Sequence, residues 1–372
     1  MDVFERDGYR LRFVETVGGK EQRFEFFWEP DESVEGLLRA WKEGDERRRF
    51  NAVYLMSQKE DERFLDVLLE AAQMRSFVGR GIATVGLARY LRKSRAARKV
   101  VFSALKSGDM ILTAAALQAL GRLNSWRSRR ALRRVLRHLR RRPDIQGGTG
   151  ASTPAALLLL AAVESLLLLG ENGDTVAASE AMINHTDRAV RIQTLSVATR
   201  FPQVLSASSL ERFLSAPVPE CIMAAETLVK KGDTSRLTVL SEYAESPDTL
   251  TRTHTIAALA RINNNSSLDL LERLLPSEKE TSLRIQMAYH LKKAGRFPPL
   301  DSFSEALRAK SPLLRQSAIT LLSRLPPNSE GVRDLLTRQR EVEPDEFLRY
   351  QIDQVLKSGE SGDLNKGGFV QI

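Results

Sequence analysis

Cysteine and histidine, the side chains most typical of structural zinc sites, are scarce in this chain. The 372 residues include one cysteine, Cys221, and four histidines. A single cysteine excludes an internal disulfide, cannot form a zinc site alone and is typical of a reducing compartment. The four histidines, which form no HxxxH or His-Glu pair, are His138, His185, His254 and His290. We therefore find no catalytic or metal-binding constellation and predict no cofactor.

Motifs of nucleotide-binding and hydrolytic enzymes are absent too. The chain has no Walker-type loop and no GxSxG sequence. The stretch GGTGAST at 147–153 has Gly amides that could face an anion, but its spacing fits no known phosphate loop. We interpret it as a flexible insert and predict that the protein is not an enzyme.

Long hydrophobic runs are scarce. The N-terminal segment MDVFERDGYR has no apolar core, so we expect no secretory signal and a cytoplasmic location. The most apolar run, PAALLLLAAVESLLLLG at 154–170, contains Glu164 and is shorter than the ~20 residues that span a bilayer. This run predicts a helix that is buried by protein on most sides.

Acidic residues are almost missing from one stretch. Between Ala71 and Pro143 the only acid is Asp109, against nineteen Lys and Arg. This block thus has a net charge of +18, whereas the whole chain has +9 and the residues outside the block sum to −9. A solubilising surface usually mixes both signs, so the block predicts a local cationic surface that attracts polyanions and is screened by salt.

The centre of this block is WRSRRALRRVLRHLRRR at 126–142. Its apolar residues recur at helical spacing and its arginines occupy the opposite face. This pattern predicts an amphipathic helix whose solvent-exposed face is rich in guanidinium groups. Arginine suits bidentate binding of carboxylate or phosphate. The predicted binding residues are Arg95, Arg98, Lys99, Arg127, Arg130, Arg133, Arg134, Arg137, Arg140 and Arg141.

A sequence repeat of about 31 residues runs through the chain. Segments such as VRIQTLSVATRFP, TRTHTIAALARIN, LRIQMAYHLKKAG, LRQSAITLLSRLP and LRYQIDQVLKSGE share a template with Arg at the second position, and ECIMAAETLVKKG has Cys221 there. These positions are 30 to 34 residues apart. Arg48, Arg80 and Thr113 fit the same series less cleanly upstream. Such a period with two helical patterns predicts stacked helical hairpins with one shared core.

An acid often precedes the repeated arginine by four residues, at the start of the second helix, where the helix dipole favours a carboxylate. We expect these residues to form a structural ladder along the stack. Its predicted members are Asp187, Arg191, Asp248, Arg252, Glu280, Arg284, Arg315, Asp345 and Arg349.

The acid–x–x–[VL]–R turn and the Ala- and Leu-rich helix after it, as in DRAVRIQTLSVA and DEFLRYQIDQVL, resemble HEAT repeats of the short bacterial form. The resemblance covers roughly residues 33–358. It implies an all-α fold, a right-handed α-solenoid of about ten two-helix repeats, and protein–protein interaction as the commonest use. Departures are Thr113 and Cys221 at the Arg position and Pro217 at the acid position, which leave the number of repeats open.

Three segments differ from this repeat. Residues 1–32 alternate apolar and polar around Gly18-Gly19, which predicts a β-hairpin. This hairpin could offer an edge strand to a partner, but we favour a cap on the first repeat, because the ends of helical arrays need cover. Residues 142–153 form a Gly-rich insertion loop, of a length that is often functional. The tail, residues 359–372, has the composition of a disordered segment.

These observations favour a non-enzymatic scaffold or adaptor whose cationic surface, residues 71–143, binds an acidic protein. A nucleic-acid or other polyanion binder is the first alternative, and electrostatic docking on an anionic membrane is another.

Some HEAT-like proteins are DNA glycosylases, which use Trp and Asp in a cationic concave groove, or chromophore lyases. Trp41 and Trp126 are present. However, the sequence predicts that the arginine helix is the first helix of its repeat, which lies on the convex side in the HEAT family. This position argues against the glycosylase arrangement. The oligomeric state stays open.

Overall fold

Helices make up most of the regular structure in the computed structural model of this chain, which describes residues 3–5, 10–17, 20–27, 33–141, 153–296, 298–325, 329 and 331–360. Three strands come first: β1 (Val3–Glu5), β2 (Arg10–Val17) and β3 (Lys20–Phe27). They form a sheet in the order β1-β2-β3, with β1 antiparallel to β2 and Val3 opposite Arg12. The proposed role of residues 1–32 as a cap stays a prediction.

The helices belong to two compact units that meet in sequence between Ala216 and Pro217. The sequence predicts one uninterrupted array over 33–358. The boundary coincides with a departure from the repeat, since Pro217 replaces the expected acid and Cys221 the expected arginine.

The first unit contains eleven helices among its described residues. They are α1 (Val34–Glu43), α2 (Glu46–Gln58), α3 (Phe64–Gln73), α4 (Arg80–Gly86), α5 (Arg95–Ala104), α6 (Met110–Arg122), α7 (Trp126–Arg140), α8 (Thr153–Leu168), α9 (Gly173–Met182), α10 (Arg188–Arg200) and α11 (Ala207–Glu211). Short 3-10 turns follow α4 and α10, at Leu87–Tyr90 and Pro202–Val204.

The second unit contains nine helices among its described residues. They are α12 (Glu220–Lys230), α13 (Leu237–Ala244), α14 (Thr249–Ile262), α15 (Asn265–Leu274), α16 (Thr281–Lys293), α17 (Asp301–Leu307), α18 (Pro312–Ser323), α19 (Val332–Val342) and α20 (Glu346–Glu360). Short 3-10 turns lie at Thr234–Arg236 and Leu275–Ser277.

Within each unit the helices pack as hairpins. In the first unit the even-numbered helices pack in series, from α2 through α4, α6 and α8 to α10, and the odd-numbered helices from α1 to α9 pack beside them. In the second unit α12, α14, α16, α18 and α20 pack in the same way. This arrangement confirms the predicted stacking of helical hairpins within each unit.

The helix starts follow from the sequence. A Ser, Asp or Asn side chain at the N-cap accepts a hydrogen bond from a backbone N–H of the first turn, which satisfies an otherwise unpaired donor. The residues that do so are Ser33, Asp45, Ser94, Asp109, Ser125, Asp187, Ser206, Asp248, Asn264 and Ser311. The starts of these helices are therefore locally encoded.

The apolar run at 154–170 forms α8, which lies between α6, α7, α9 and α10. Its side chains are mostly buried, whereas Pro154, Leu157 and Leu168 are exposed. This confirms the prediction of a helix enclosed by protein on most sides.

Two of the predicted segments lie mostly outside the described residues. They are the insertion loop, at residues 142–152, and the tail, at residues 361–372. Thr153, the last residue assigned to the loop, begins α8, and α20 continues to Glu360, two residues into the segment assigned to the tail.

Candidate anion-binding surface

The arginine helix α7 is oriented by its apolar side. Ser125 caps it, accepting a hydrogen bond from the Ser128 N–H at 3.1 Å. Leu132, Leu136 and Leu139 are buried between α7 and its neighbours α6 and α8. Burying these three side chains stabilises the helix by several kcal/mol in total, at about 1.5–3 kcal/mol each. The arginines on the other side therefore face outward.

Three arginines of α7 reach carboxylates of the next hairpin. The Arg133 Nε lies 3.0 Å from Glu171, the Arg129 Nε lies 3.8 Å from the same carboxylate, and the Arg140 Nη1 lies 3.5 Å from Asp174. The hydrogen bond with Glu171 raises the pKa of Arg133. We call Arg129, Arg133 and Arg140 the paired row.

Five other arginines of this segment form a second row. They follow one another at steps of three, four, three and four residues, which places them on one strip of the helix about 21 Å long. We call them the free row: Arg127, Arg130, Arg134, Arg137 and Arg141. All five are exposed, and within the part of the chain that the structure describes none of them forms an ion pair with a carboxylate.

The exposed indole of Trp126 lies at the N-terminal end of the free row. It is 65% exposed, and the Arg127 guanidinium carbon lies 5.4 Å from the centre of its rings. This distance is within the range of a cation–π contact. By contrast, Trp41 is only 6% exposed, donates to Glu70 at 3.2 Å and packs edge-on against Phe77. Trp41 is therefore a core residue.

Helix α5 supplies the other predicted cations. Arg95 and Lys99 are exposed, whereas the Arg98 guanidinium donates to the backbone carbonyls of Leu91 at 2.8 Å and Arg92 at 3.1 Å. Arg98 therefore closes the turn before its own helix, a structural use that the binding prediction did not include.

Three of the repeated arginines serve the same kind of turn. Nη1 donates to the carbonyls six and five residues back, from Arg191 to His185 and Thr186 and from Arg252 to Ser246 and Pro247, at 2.8 to 3.2 Å. Arg315 does so with Ala309 and Lys310, both at 3.0 Å. Each arginine thus ties the end of a first helix to the start of the second.

The ladder itself uses acids that the sequence analysis did not select. Arg252 pairs with Glu278 at 2.9 Å, Arg284 pairs with Glu305, and Arg315 pairs with Glu343 at 2.9 Å. These glutamates belong to the following hairpin, 21 to 28 residues on, so the ion pairs connect successive hairpins. No pattern at fixed spacing marks them in the sequence.

The acids placed four residues before the arginines have another role. Asp248 accepts from the Thr251 N–H and hydroxyl, and these two hydrogen bonds lower its pKa. Asp345 accepts from two N–H groups at the start of α20, whereas Arg349 is exposed. The expected ion pairs Asp248–Arg252, Glu280–Arg284 and Asp345–Arg349 do not form among the described contacts, because the backbone and the next hairpin offer closer partners.

Asp187 caps α10 by accepting from the Ala189 N–H at 2.8 Å. Asp187 therefore lies at the start of the second helix of its hairpin, as the sequence predicts.

A cavity of about 300 Å³ lies beside the arginine helix. Leu105, Val135, Leu139 and Leu158 form its apolar wall, and Thr113, Arg134 and His138 also line it. Arg134 belongs to the free row as well, so the cavity and the row are adjacent. Sequence analysis did not identify this cavity, because its lining comes from four separate helices or their ends.

Within the described residues no group of three His, Cys, Asp or Glu side chains is placed to hold a metal ion. Among the same residues, none of the helices combines the length and apolar content needed to cross a bilayer.

Comparisons with known proteins give limited likenesses. No family model matches the chain, and no curated protein sequence matches it. One similar solved structure is titled as a homology model of the full-length AP-3 complex in an intermediate open conformation, with 13% identity, a TM-score of 0.39, and coverage of 87% of this chain and 68% of that chain. Another is importin beta in an ammonium sulfate condition, with 13% identity, a TM-score of 0.39, and coverage of 89% of this chain and 52% of that chain.

Proposed function

We propose that this protein is a non-enzymatic scaffold or adaptor, a HEAT-like array of about ten hairpins that binds an acidic protein partner through the free row. Arg95 and Lys99 extend the cationic surface on α5. A cytoplasmic location agrees with the single, buried cysteine, Cys221.

The observation that carries this proposal is the division of the arginines on α7. The next hairpin supplies two carboxylates, of Glu171 and Asp174, to the paired row, whereas the free row faces water. Like charges so close together repel one another and weaken the helix unless an anion binds. A row of solvated guanidinium groups is therefore suited to an extended acidic surface, and Arg and Trp side chains are common among the residues that dominate binding energy.

Nucleic acid is the alternative ligand. Its phosphates would also bind the free row, and affinity would then fall with salt at a slope near −0.9 for each phosphate contacted on duplex DNA. The glycosylase alternative is weaker, because Trp41, one of the two tryptophans considered for it, lies in the core.

The test compares two triple variants of α7 that lose the same charge. One replaces Arg130, Arg134 and Arg137 of the free row with Gln, and the other replaces Arg129, Arg133 and Arg140 of the paired row. Binding of poly-glutamate is measured by fluorescence anisotropy over a salt series, with duplex DNA and anionic vesicles as parallel ligands.

We expect the free-row variant to bind poly-glutamate at least tenfold more weakly at low salt, at about 0.5 kcal/mol or more for each exposed pair lost. The paired-row variant should keep most of its affinity but unfold more easily, because Glu171 loses its partners. Equal losses in both variants would mean that net charge alone drives binding and would refute the assignment to the free row. Tight binding of DNA or vesicles, with weak binding of poly-glutamate, would refute the acidic-protein partner.

A further inference from the structure

We infer that the acidic partner also inserts one large apolar side chain, of leucine or phenylalanine size, into the cavity beside the free row. This inference rests on the proposed function and adds the chemistry of the ligand. It commits to a short acidic segment of a protein with an apolar residue among its carboxylates.

The cavity lies at a position where the repeat is interrupted, at Thr113. At this position other repeats carry an arginine whose guanidinium fills the turn between the two helices, as Arg252 and Arg315 do. The shorter Thr113 donates its hydroxyl to the backbone carbonyls of Asp109 at 2.8 Å and Ala104 at 3.4 Å. The long side chain is absent, and a space of about 300 Å³ is present beside Thr113.

The lining of this space determines what it would accept. The Thr113 hydroxyl proton is already donated to a backbone carbonyl. Apart from Arg134 and His138, the rest of the wall is aliphatic carbon from Leu105, Val135, Leu139 and Leu158. Removing apolar surface from water lowers the free energy of the system. A cavity of this size lies at the lower limit of ligand pockets. The interior therefore favours a single aliphatic or aromatic side chain.

The charged groups beside the cavity determine what must flank that side chain. Arg134 lines the cavity and belongs to the free row, and His138 lies exposed one turn further along the same helix. Arg134 has no carboxylate partner among the described residues. An apolar side chain inside would thus place the neighbouring residues of its own chain next to guanidinium groups, which bind carboxylates well. Apolar anchors in pockets with charged surroundings are typical of peptide recognition.

The probe is a fluorescein-labelled peptide with the sequence Glu-Glu-Leu-Glu-Glu. The control peptide has alanine in place of leucine. Anisotropy of both is measured with the full chain. We expect the leucine peptide to bind about tenfold tighter, a difference of about 1.4 kcal/mol.

Matched variants locate the difference. Leu158→Trp places a larger side chain in the cavity, whereas Leu157→Trp makes the same change at the neighbouring, exposed position outside it. We expect Leu158→Trp to remove the preference for leucine and Leu157→Trp to retain it. Thr113→Arg is a second test that restores the residue of the other repeats. It should also remove the preference although it adds a positive charge, which by itself would strengthen binding of both peptides.

The outcomes separate this inference from the proposed function. Equal binding of both peptides to the unchanged chain, or a leucine preference that survives in both Leu158→Trp and Thr113→Arg, would overturn the inference and leave the free row as an anion-binding surface. If neither peptide binds although poly-glutamate does, only this inference fails; if poly-glutamate does not bind either, the proposed function fails as well. A preference that appears only after deletion of residues 143–151 would make a segment of this chain the occupant and would overturn the inference.

Discussion

At the scale of single residues, the ion pair between Arg315 and Glu343 is the most deeply buried one described. The two side chains are 7% and 0% exposed, and Gln339 donates to the same carboxylate at 2.7 Å. Two backbone carbonyls accept from the guanidinium as well. Removing two charges from water is expensive, and these hydrogen bonds offset that expense only while both partners are present.

The first prediction concerns this pair. Arg315→Met or Glu343→Leu alone should lower the free energy of unfolding by about 3 kcal/mol or more, because each leaves a buried charge without its partner. The double variant should lie closer to the unchanged protein than the sum of the two losses. Urea unfolding of all four proteins measures this. Additive losses would show that the two side chains are energetically independent.

The second prediction concerns pH. Burial alone would raise the pKa of Glu278, but hydrogen bonds from Arg252 and the Glu280 N–H outweigh burial and lower it. A carboxyl with a depressed pKa contributes stability at every pH above its unfolded value, near 4.3, and loses it as the pH falls through the folded pKa. Glu278→Gln should therefore destabilise the protein at neutral pH, and the difference from the unchanged protein should shrink below about pH 4. A difference that stays constant from neutral to acid pH, measured by urea unfolding, would contradict this.

At the scale of elements, close helix contacts define the inner layer of the first unit. A Cβ atom added at Gly86 of α4 would lie 2.8 Å from the Ser57 Cβ, and one at Gly121 of α6 would lie 2.9 Å from the Ser165 Cβ. Both positions face the backbone of the neighbouring even-numbered helix at about 3 Å. Glycine is thus required for this helix spacing, although glycine weakens an isolated helix by roughly 1 kcal/mol.

The third prediction follows from this contact. Gly121→Ala should destabilise the protein by about 1–3 kcal/mol, because α6 and α8 must move apart, in spite of the better helix propensity of alanine. Gly173→Ala is the matched control, since nothing lies within 4 Å of a Cβ there. It should leave the melting temperature unchanged or raise it slightly. Equal melting temperatures for both variants would mean that the inner layer adjusts without strain.

At the scale of the whole molecule, charge is distributed unevenly along the chain. The block 71–143 carries +18 and the rest −9. Many cations of this block are nevertheless used internally: Arg80 pairs with Asp109, Lys93 with Glu62, and Arg89 donates to two carbonyls. The surface available to a partner is therefore smaller than the net charge suggests, and the free row is its best-defined part.

The fourth prediction tests residues 1–32 as a cap. Terminal repeats of a helical array expose an apolar side that needs cover. In α1, Leu37 and Trp41 are buried. If the N-terminal strands cover this end, deletion of residues 1–32 should lower the melting temperature by several degrees and increase binding of a dye that reports apolar surface. Unchanged melting would argue against the cap.

Much of this protein follows from its sequence because the signals are local. The arginine and acid at fixed spacing, the N-cap residues and the 31-residue period encode helices and their stacking. The amphipathic pattern of 126–142 likewise predicts α7 and its outward arginines. These features depend on neighbours within one or two helical turns, which a sequence displays directly.

Tertiary structure decides what each charged side chain does. Arg133 and Arg134 are adjacent in sequence, yet the first pairs with Glu171 and the second lies open beside the cavity. The partners Glu278 and Glu343 lie 26 and 28 residues beyond their arginines. Such contacts depend on the distance and angle between successive hairpins. Those are set by packing of small and large side chains such as Gly121 and Leu136 rather than by any local pattern.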